Sequence, residues 1–116
     1  MSELVIYHNP RCGKSRTALA LLRARGIEPE VIEYLRQPLQ RDALRGLLAV
    51  LGMPAADLVR RGESVFKEKY RGRAMTEDDW IDAMVTDPIL IERPVVVRGD
   101  RAVVARPPER VDELFD

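Results

Sequence analysis

The residue of this chain best placed to do chemistry is its single cysteine, Cys12. The apolar run Leu4-Val5-Ile6-Tyr7 before it is typical of a buried strand, and a helical pattern begins after it at about Gly13. Open α/β sheets place their ligands in such a loop between a strand and a helix. The amide groups and the dipole at a helix start also stabilise a thiolate and lower its pKa. We therefore predict a nucleophilic thiolate at Cys12, with a small buried apolar side chain as the alternative.

The residues around Cys12 limit the kind of thiol chemistry that it can perform. A phosphatase loop requires an arginine six residues after the cysteine, where this chain has Ala18, and a thioredoxin-type motif requires a second cysteine three residues after it, where this chain has Ser15. An outside thiol must therefore resolve any adduct or disulfide that Cys12 forms. Cationic neighbours in sequence are expected to lower the pKa of the thiol, and they are His8, Arg11, Lys14 and Arg16.

Composition argues against several other functions. Lys plus Arg and Asp plus Glu both total 19, so the formal net charge is zero, which disfavours bulk attachment to nucleic acid or anionic lipid. One Cys and one His exclude a disulfide framework and a Cys/His zinc site within the chain, and we expect no bound metal. Glu3 stands where a signal peptide needs basic residues, and no apolar run approaches the ~18 residues of a membrane span. We therefore expect a cytoplasmic protein with neither nucleic-acid nor membrane partners.

The elements that must position Cys12 begin with a strand, a helix and a second strand. The strand covers Glu3 to Tyr7, the helix runs from about Gly13 to Arg25 and ends at Gly26, and the second strand covers Val31 to Tyr34. A strand, a crossover helix and a strand of this length predict two parallel strands.

The rest of the chain predicts a helical segment followed by a hairpin. Helical spacing of Leu44, Leu47, Leu48 and Leu51 and an N-cap at Thr76 indicate two of the helices. Val95–Val97 and Ala102–Ala105 are predicted to pair around Gly99, and a last helix follows Pro107-Pro108. The order predicts one α/β domain over residues 1–116, with a helical insertion at about 40–90. Its fold is predicted to be thioredoxin-like (glutaredoxin-like), a mixed four-stranded sheet flanked by helices, with the first and third strands central.

Four segments of the chain resemble the ArsC family of arsenate reductases, which depend on glutathione and glutaredoxin. The segments are His8 to Arg16 (HNPRCGKSR), Leu58-Val59-Arg60, Glu92 to Val97 (ERPVVV) and Arg106-Pro107-Pro108-Glu109. They keep the family's order and spacing, and the resemblance runs from about residue 3 to the end of the chain.

The resemblance implies a thiol-dependent reduction of arsenate to arsenite. Cys12 would attack the oxyanion, with His8 and Ser15 supporting it in the loop, and the peptide bond between Arg93 and Pro94 would be cis. Glutathione would be the co-substrate, glutaredoxin the protein partner, and no cofactor would be bound. The anion would be surrounded by three guanidinium groups, which suit tetrahedral oxyanions, from Arg60, Arg93 and Arg106.

Four of these residues also have a purely structural interpretation. Arg60 lies beside a predicted helix end, where a cation complements the dipole, and Arg106 is equally a charge at the end of a strand. His8 is equally a loop residue bonded to the backbone. Ser15 is equally an N-cap of the first helix.

Two other functions are compatible with the loop. Cys12-Gly13-Lys14-Ser15 looks like the CGxS loop of monothiol glutaredoxins, which act on glutathione adducts. Those proteins have a Thr-Val pair before the cis proline, whereas this chain has Arg93. A non-catalytic binding module like the Spx regulators of RNA polymerase is the other alternative, although those usually carry a CxxC switch that Ser15 removes.

Overall fold

The computed structural model describes residues 4–115, and the chain divides into two compact units. The first unit comprises the chain up to Gln37 together with the segment from Arg93 onward, and the second comprises Pro38–Glu92. A single domain over residues 1–116 stays a prediction. None of the helices within residues 4–115 has the length and apolar character that crossing a membrane requires.

The first unit is built on a mixed four-stranded sheet. Its strands are β1 (Leu4–Tyr7), β2 (Glu30–Ile32), β3 (Val95–Arg98) and β4 (Arg101–Val104), in the spatial order β2-β1-β3-β4. β1 pairs parallel with β2 and antiparallel with β3, and β3 pairs antiparallel with β4. The predicted mixed sheet with β1 and β3 at its centre is confirmed. Glu3, which the sequence analysis assigned to the first strand, lies outside the described residues.

Helix α1 (Gly13–Ala24) follows β1 and packs its apolar face into the core of this unit. Ala18, Leu19 and Leu22 are buried because their helical spacing puts them on one face, where they meet Ile6 of the central strand. Gly26 follows the helix with a φ of +80°, a conformation that glycine adopts without strain. Burying this face fixes α1 on the sheet, and with it the loop that carries Cys12.

Two predicted elements of the first unit differ from the structure. β2 ends at Ile32, and Tyr34 lies in a turn in which the carbonyl of Glu33 accepts hydrogen bonds from the amides of Arg36 and Gln37. Tyr34 is fully buried, so a large apolar side chain at this position reflects packing in the core and not membership of a strand. The last element, Pro108–Phe115, is a 3₁₀ helix.

The second unit is helical. It contains α2 (Arg41–Leu51), α3 (Ser64–Lys69) and α4 (Glu77–Thr86), with 3₁₀ turns at Ala55–Leu58 and Pro88–Leu90. α4 begins with the predicted N-cap, because the Thr76 hydroxyl accepts from the amide of Asp79 while the carboxylate of Asp79 accepts from the amide of Thr76. An isolated bridge pairs Val59 with Ile91, and beside it the amides of Arg60 and Glu92 donate to the carbonyls of Leu90 and Leu58.

Candidate active site around Cys12

Cys12 is the N-cap residue of α1, in an extended conformation with φ −93° and ψ 122°. Its amide donates to the carbonyl of Asn9 at 3.0 Å, and its own carbonyl accepts from the amide of Arg16 at 3.0 Å. The side-chain oxygen of Asn9 accepts from the amide of Arg11, which closes the turn before the cysteine. The loop is therefore fixed on both sides of Cys12, while the residue itself is only partly buried.

The pKa of the Cys12 thiol is lower than its ordinary value. Partial burial of the sulfur acts to raise this pKa, but the amide of Ser15, the guanidinium of Arg93 and the amide of Lys14 donate hydrogen bonds that favour the thiolate, and the net shift is downward. The charge that contributes comes from Arg93, not from the cationic residues next to Cys12 in sequence. Arg16, for example, is exposed and donates to the carbonyl of Pro10.

Ser15 is fully buried and connects the loop to the helix. Its Oγ lies 2.6 Å from Nδ1 of His8 and accepts a hydrogen bond from the amide of Asn9 at 3.1 Å. Because α1 begins at Gly13, Ser15 is the third helical residue, and its interpretation as the N-cap is wrong. The amide of Ser15 donates a hydrogen bond to the Cys12 sulfur, while its hydroxyl bonds the imidazole of His8.

His8 is buried beside Ser15, and its amide donates to the carbonyl of Ile32. Burial lowers the pKa of its imidazole below the ordinary value; nearby Glu33 acts to raise this pKa, and Arg23 and Arg16 act to lower it. The imidazole is therefore neutral at pH 7. It supports the loop through a hydrogen bond, not through a positive charge.

Arg93 and Arg106 come together in the first unit. Arg93 is 8% exposed, its guanidinium bonds the Cys12 sulfur, and its peptide bond with Pro94 is cis, as the resemblance implied. Nη1 of Arg106 donates to the carbonyl of Arg93 at 3.0 Å. Two of the three predicted anion ligands are thus joined to each other, and one of them reaches the thiol. The bond between Arg106 and Pro107 is also cis, which the sequence analysis did not anticipate.

Arg60 lies in the second unit, where it pairs with two carboxylates. Its Nη1 is 3.1 Å from Oε1 of Glu92, and its Nε is 3.5 Å from Oε2 of Glu63. The side chain is 23% exposed, so these pairs are partly screened by solvent. Its contact with an anion stays a prediction.

Sequence reasoning missed the contribution of Asn9 and of two backbone amides. Asn9 is buried, and its carbonyl, side-chain oxygen and amide all hold the loop. The Asn9-Pro10 dipeptide signalled a turn but not this role. The contribution of the Lys14 and Ser15 amides cannot be read from residue types, because every non-proline residue has an amide and it is the start of the helix that directs these two at the sulfur. Within residues 4–115, no group of three or more His, Cys, Asp or Glu side chains is placed to hold a metal ion.

Comparison with known proteins identifies the family. The model of the ArsC family matches residues 7–114. This chain belongs to the ArsC family. Two relatives in Escherichia coli span nearly the whole chain. The Uncharacterized protein YfgD of strain K12 is 46% identical over 97% of this chain and 96% of its own length, and an Arsenate reductase is 43% identical over 99% of this chain and 82% of its own length.

A solved structure is similar to this protein over almost the whole chain. It is the Arsenate reductase from Vibrio cholerae, which has a TM-score of 0.91 and 43% identity, with 95% of each chain covered. The mixed four-stranded sheet described above is therefore the thioredoxin-like fold of arsenate reductases, as predicted.

Proposed function

We propose that this ArsC protein reduces arsenate to arsenite, with Cys12 as the nucleophile and with glutathione and glutaredoxin supplying the electrons. The observation that carries the proposal is the set of donors on the Cys12 sulfur: the amides of Ser15 and Lys14 and the guanidinium of Arg93. Donors that stabilise a thiolate also suit the oxygens of a bound anion. The assignment of arsenate as the substrate is supported by relatives that are named arsenate reductases.

In the first step the Cys12 thiolate attacks As(V), which forms the sulfur–arsenic bond while one oxygen takes up protons and leaves as water. The thiolate and the arsenate repel each other, so cations must offset their charges. The guanidinium of Arg93 already contacts the sulfur, and the guanidinium of Arg106 donates a hydrogen bond to the carbonyl of Arg93. In the proposal both guanidinium groups, together with that of Arg60, bind the arsenate oxygens.

In the second step the thiolate of glutathione attacks the sulfur of Cys12. A disulfide forms between the two sulfurs, and the electron pair of the sulfur–arsenic bond stays on arsenic, which leaves as arsenite, As(III). Glutaredoxin then reduces the mixed disulfide and restores the thiolate. The chain has one cysteine, so no internal thiol can take this part. We place the reaction in the cytoplasm, where glutathione keeps thiols reduced.

His8 and Ser15 support the site without touching arsenate in this proposal. The neutral imidazole fixes the Ser15 hydroxyl, which also accepts from the amide of Asn9. These bonds hold the first turn of α1 against the loop, so that the amides of Lys14 and Ser15 stay aimed at the sulfur.

The experiment that tests the function is a coupled assay. Glutathione, glutaredoxin, glutathione reductase and NADPH are supplied, and NADPH oxidation is followed with and without arsenate. We expect arsenate-dependent oxidation by the wild-type protein and none by Cys12→Ser. No arsenate dependence, or equal rates for the two proteins, would refute the proposal.

A monothiol glutaredoxin-like activity on glutathione adducts is the second candidate, because it needs the same single thiolate. The hydrogen bond from Arg93 to that thiolate favours an oxyanion as substrate. NADPH oxidation that depends on a glutathionylated peptide and not on arsenate would favour the second candidate. Capture of RNA polymerase by a protein without thiol activity would favour the Spx-like module.

A further inference from the structure

A groove of about 220 Å³ lies beside the loop that carries Cys12. One wall is formed by residues His8 to Arg11 of that loop, and the other by Glu33, Leu35 and Arg36, in the turn after β2. A second cavity of about 360 Å³ shares Glu33 and Arg36 with it. We call the first of these cavities the Arg11–Arg36 groove.

The groove carries two cations, one anion and an apolar surface. The side chain of Arg36 is 81% exposed, and its Nη1 is 3.9 Å from Oε1 of Glu33, a distance that leaves the pair weakly held. Arg11 is also exposed, and its guanidinium forms no ion pair with an acidic residue in the described part of the chain. Leu35, at 38% exposure, is one of two large apolar side chains exposed within residues 4–115.

Hydrogen bonds from backbone amides fix the walls of the groove. The carbonyl of Glu33 accepts from the amide of Arg36 at 2.9 Å, and the side chain of Asn9 accepts from the amide of Arg11 at 3.0 Å. The loop wall ends one residue before Cys12, whose amide bonds the carbonyl of Asn9. The groove therefore lies along the loop that carries the nucleophile.

We propose that the Arg11–Arg36 groove binds glutathione, an inference that rests on the proposed function because it names where the reductant is held. At neutral pH glutathione has two carboxylates and one ammonium group, which match the guanidinium groups of Arg11 and Arg36 and the carboxylate of Glu33. Its γ-glutamyl residue contributes two apolar methylene groups, and its thiol lies between the two charged ends of the molecule. Arsenate has no cation for Glu33 and no apolar part for Leu35, so the groove fits the reductant and not the oxyanion.

A reaction that needs no arsenate tests the groove. The Cys12 thiolate attacks one sulfur of oxidised glutathione, a mixed disulfide forms on Cys12, and one glutathione thiolate leaves. Mass spectrometry gives the rate, which is compared with the rate for bis(2-hydroxyethyl) disulfide, an uncharged disulfide. The ratio of the two rates removes the reactivity of the thiolate itself and leaves the contribution of glutathione recognition.

We expect this ratio to fall about three- to fivefold in Arg11→Ala and in Arg36→Ala, and about tenfold in the double variant, since each loses one partly screened charge contact. Arg36→Lys keeps the charge and is expected to retain most of the ratio. The matched control is Arg110→Ala, which also removes one exposed arginine but one that pairs with Glu113. Its ratio should equal that of the wild-type protein.

The groove proposal is overturned if the double variant keeps the wild-type ratio, or if Arg110→Ala lowers the ratio as much as Arg36→Ala does. It is also overturned if the coupled arsenate assay gives the same KM for glutathione in the wild type and the double variant. The proposed function fails separately. A protein without arsenate turnover whose disulfide ratio still depends on Arg11 and Arg36 would retain the groove and lose arsenate as substrate.

Discussion

The hydroxyl of Ser15 lies 2.6 Å from the imidazole Nδ1 of His8, and both side chains are buried where β1 leads into α1. The same hydroxyl accepts from the amide of Asn9, so one oxygen satisfies two buried polar groups. The amide of Ser15 meanwhile bonds the Cys12 sulfur. This contact therefore couples the packing of the loop to the donors that stabilise the thiolate.

Ser15→Ala is expected to destabilise the protein by about 1–3 kcal/mol, because it leaves the amide of Asn9 and the ring nitrogen of His8 buried without their partner. Urea unfolding measures the change. Thr17→Ala is the matched control, since it removes an exposed hydroxyl from the same helix and is expected to change the stability by less than about 0.5 kcal/mol. Equal losses in the two variants would contradict the role assigned to Ser15.

The lowered pKa of His8 predicts that stability decreases in mild acid. Its imidazole has a pKa below 6.5 in the folded protein because burial opposes the charged form, whereas the unfolded chain titrates at its ordinary value of 6.5. Between these two values the unfolded state binds more protons, so the stabilising contribution of neutral His8 is complete above about pH 6.5 and is lost as the pH falls.

The measurement uses the fact that His8 is the single histidine of the chain. Its ring signals in an NMR titration are unambiguous, and we expect their midpoint below 6.5. Urea unfolding at pH 7.5 and at pH 5.5 should show a larger loss for the wild type than for His8→Gln, which lacks the titrating group. A midpoint above 6.5, or equal losses, would be the opposite result.

Local patterns predicted the fold well where one residue type decides the structure. The apolar run of β1 and the leucine spacing of α2 correspond to elements of the structure, as does the cap at Thr76. β2 was placed too late because Tyr34 is apolar and fully buried but lies in a turn. From the sequence alone, an aromatic residue that is buried in a turn cannot be distinguished from one that is buried in a strand.

The lowered pKa of the Cys12 thiol was predictable from the sequence, but the residue whose charge lowers it was not. Position at the start of a helix is a local property of the sequence, and it predicted that the pKa of the Cys12 thiol is lowered, as in the structure. Proximity in sequence indicated His8, Arg11, Lys14 and Arg16 as its cations, whereas the charge that contributes in the structure is that of Arg93. That contact depends on how β3 is placed beside β1, which only the sheet order determines. The family resemblance named Arg93 because it transmits information that the local pattern lacks.

Thr76→Ala is expected to destabilise the protein by about 1 kcal/mol, because the first turn of α4 loses the hydroxyl that accepts from the amide of Asp79. Thr86→Ala, an exposed change at the other end of the helix, is the control and should have little effect. Both are measured by urea unfolding. A loss in Thr86→Ala that matched the loss in Thr76→Ala would show that the cap is not responsible.

Arg60→Ala is expected to weaken arsenate binding about tenfold or more, if its guanidinium binds the anion as we propose. The dissociation constant is measured by the protection that arsenate gives Cys12 against iodoacetamide. Arg61→Ala is the neighbouring control, because that guanidinium lies over the rings of Trp80 and Phe66, 5.0 and 5.4 Å from their centroids. Reduced stability of Arg60→Ala with an unchanged dissociation constant would leave Arg60 only its pairs with Glu63 and Glu92.

The alkylation rate of Cys12 is expected to rise with pH around a midpoint below that of an ordinary thiol, which is about 8.5. Arg93→Ala removes a hydrogen bond and a charge from the thiolate, so we expect it to raise the midpoint above that of the wild-type protein. Arg93→Lys keeps the positive charge without the planar guanidinium, so its midpoint should lie between those of the wild type and Arg93→Ala. Circular dichroism shows whether each variant is folded, which separates this effect from a loss of folding.

Arg16→Ala is the decisive comparison for the Cys12 thiol, because it separates proximity along the chain from proximity in space. Arg16 stands four residues after Cys12, but its guanidinium donates to the carbonyl of Pro10 and does not contribute to the pKa of the thiol. We therefore expect an unchanged midpoint in Arg16→Ala and a raised one in Arg93→Ala. A larger rise in Arg16→Ala would mean that sequence neighbours set the reactivity of Cys12, and the assignment of that role to Arg93 would be wrong.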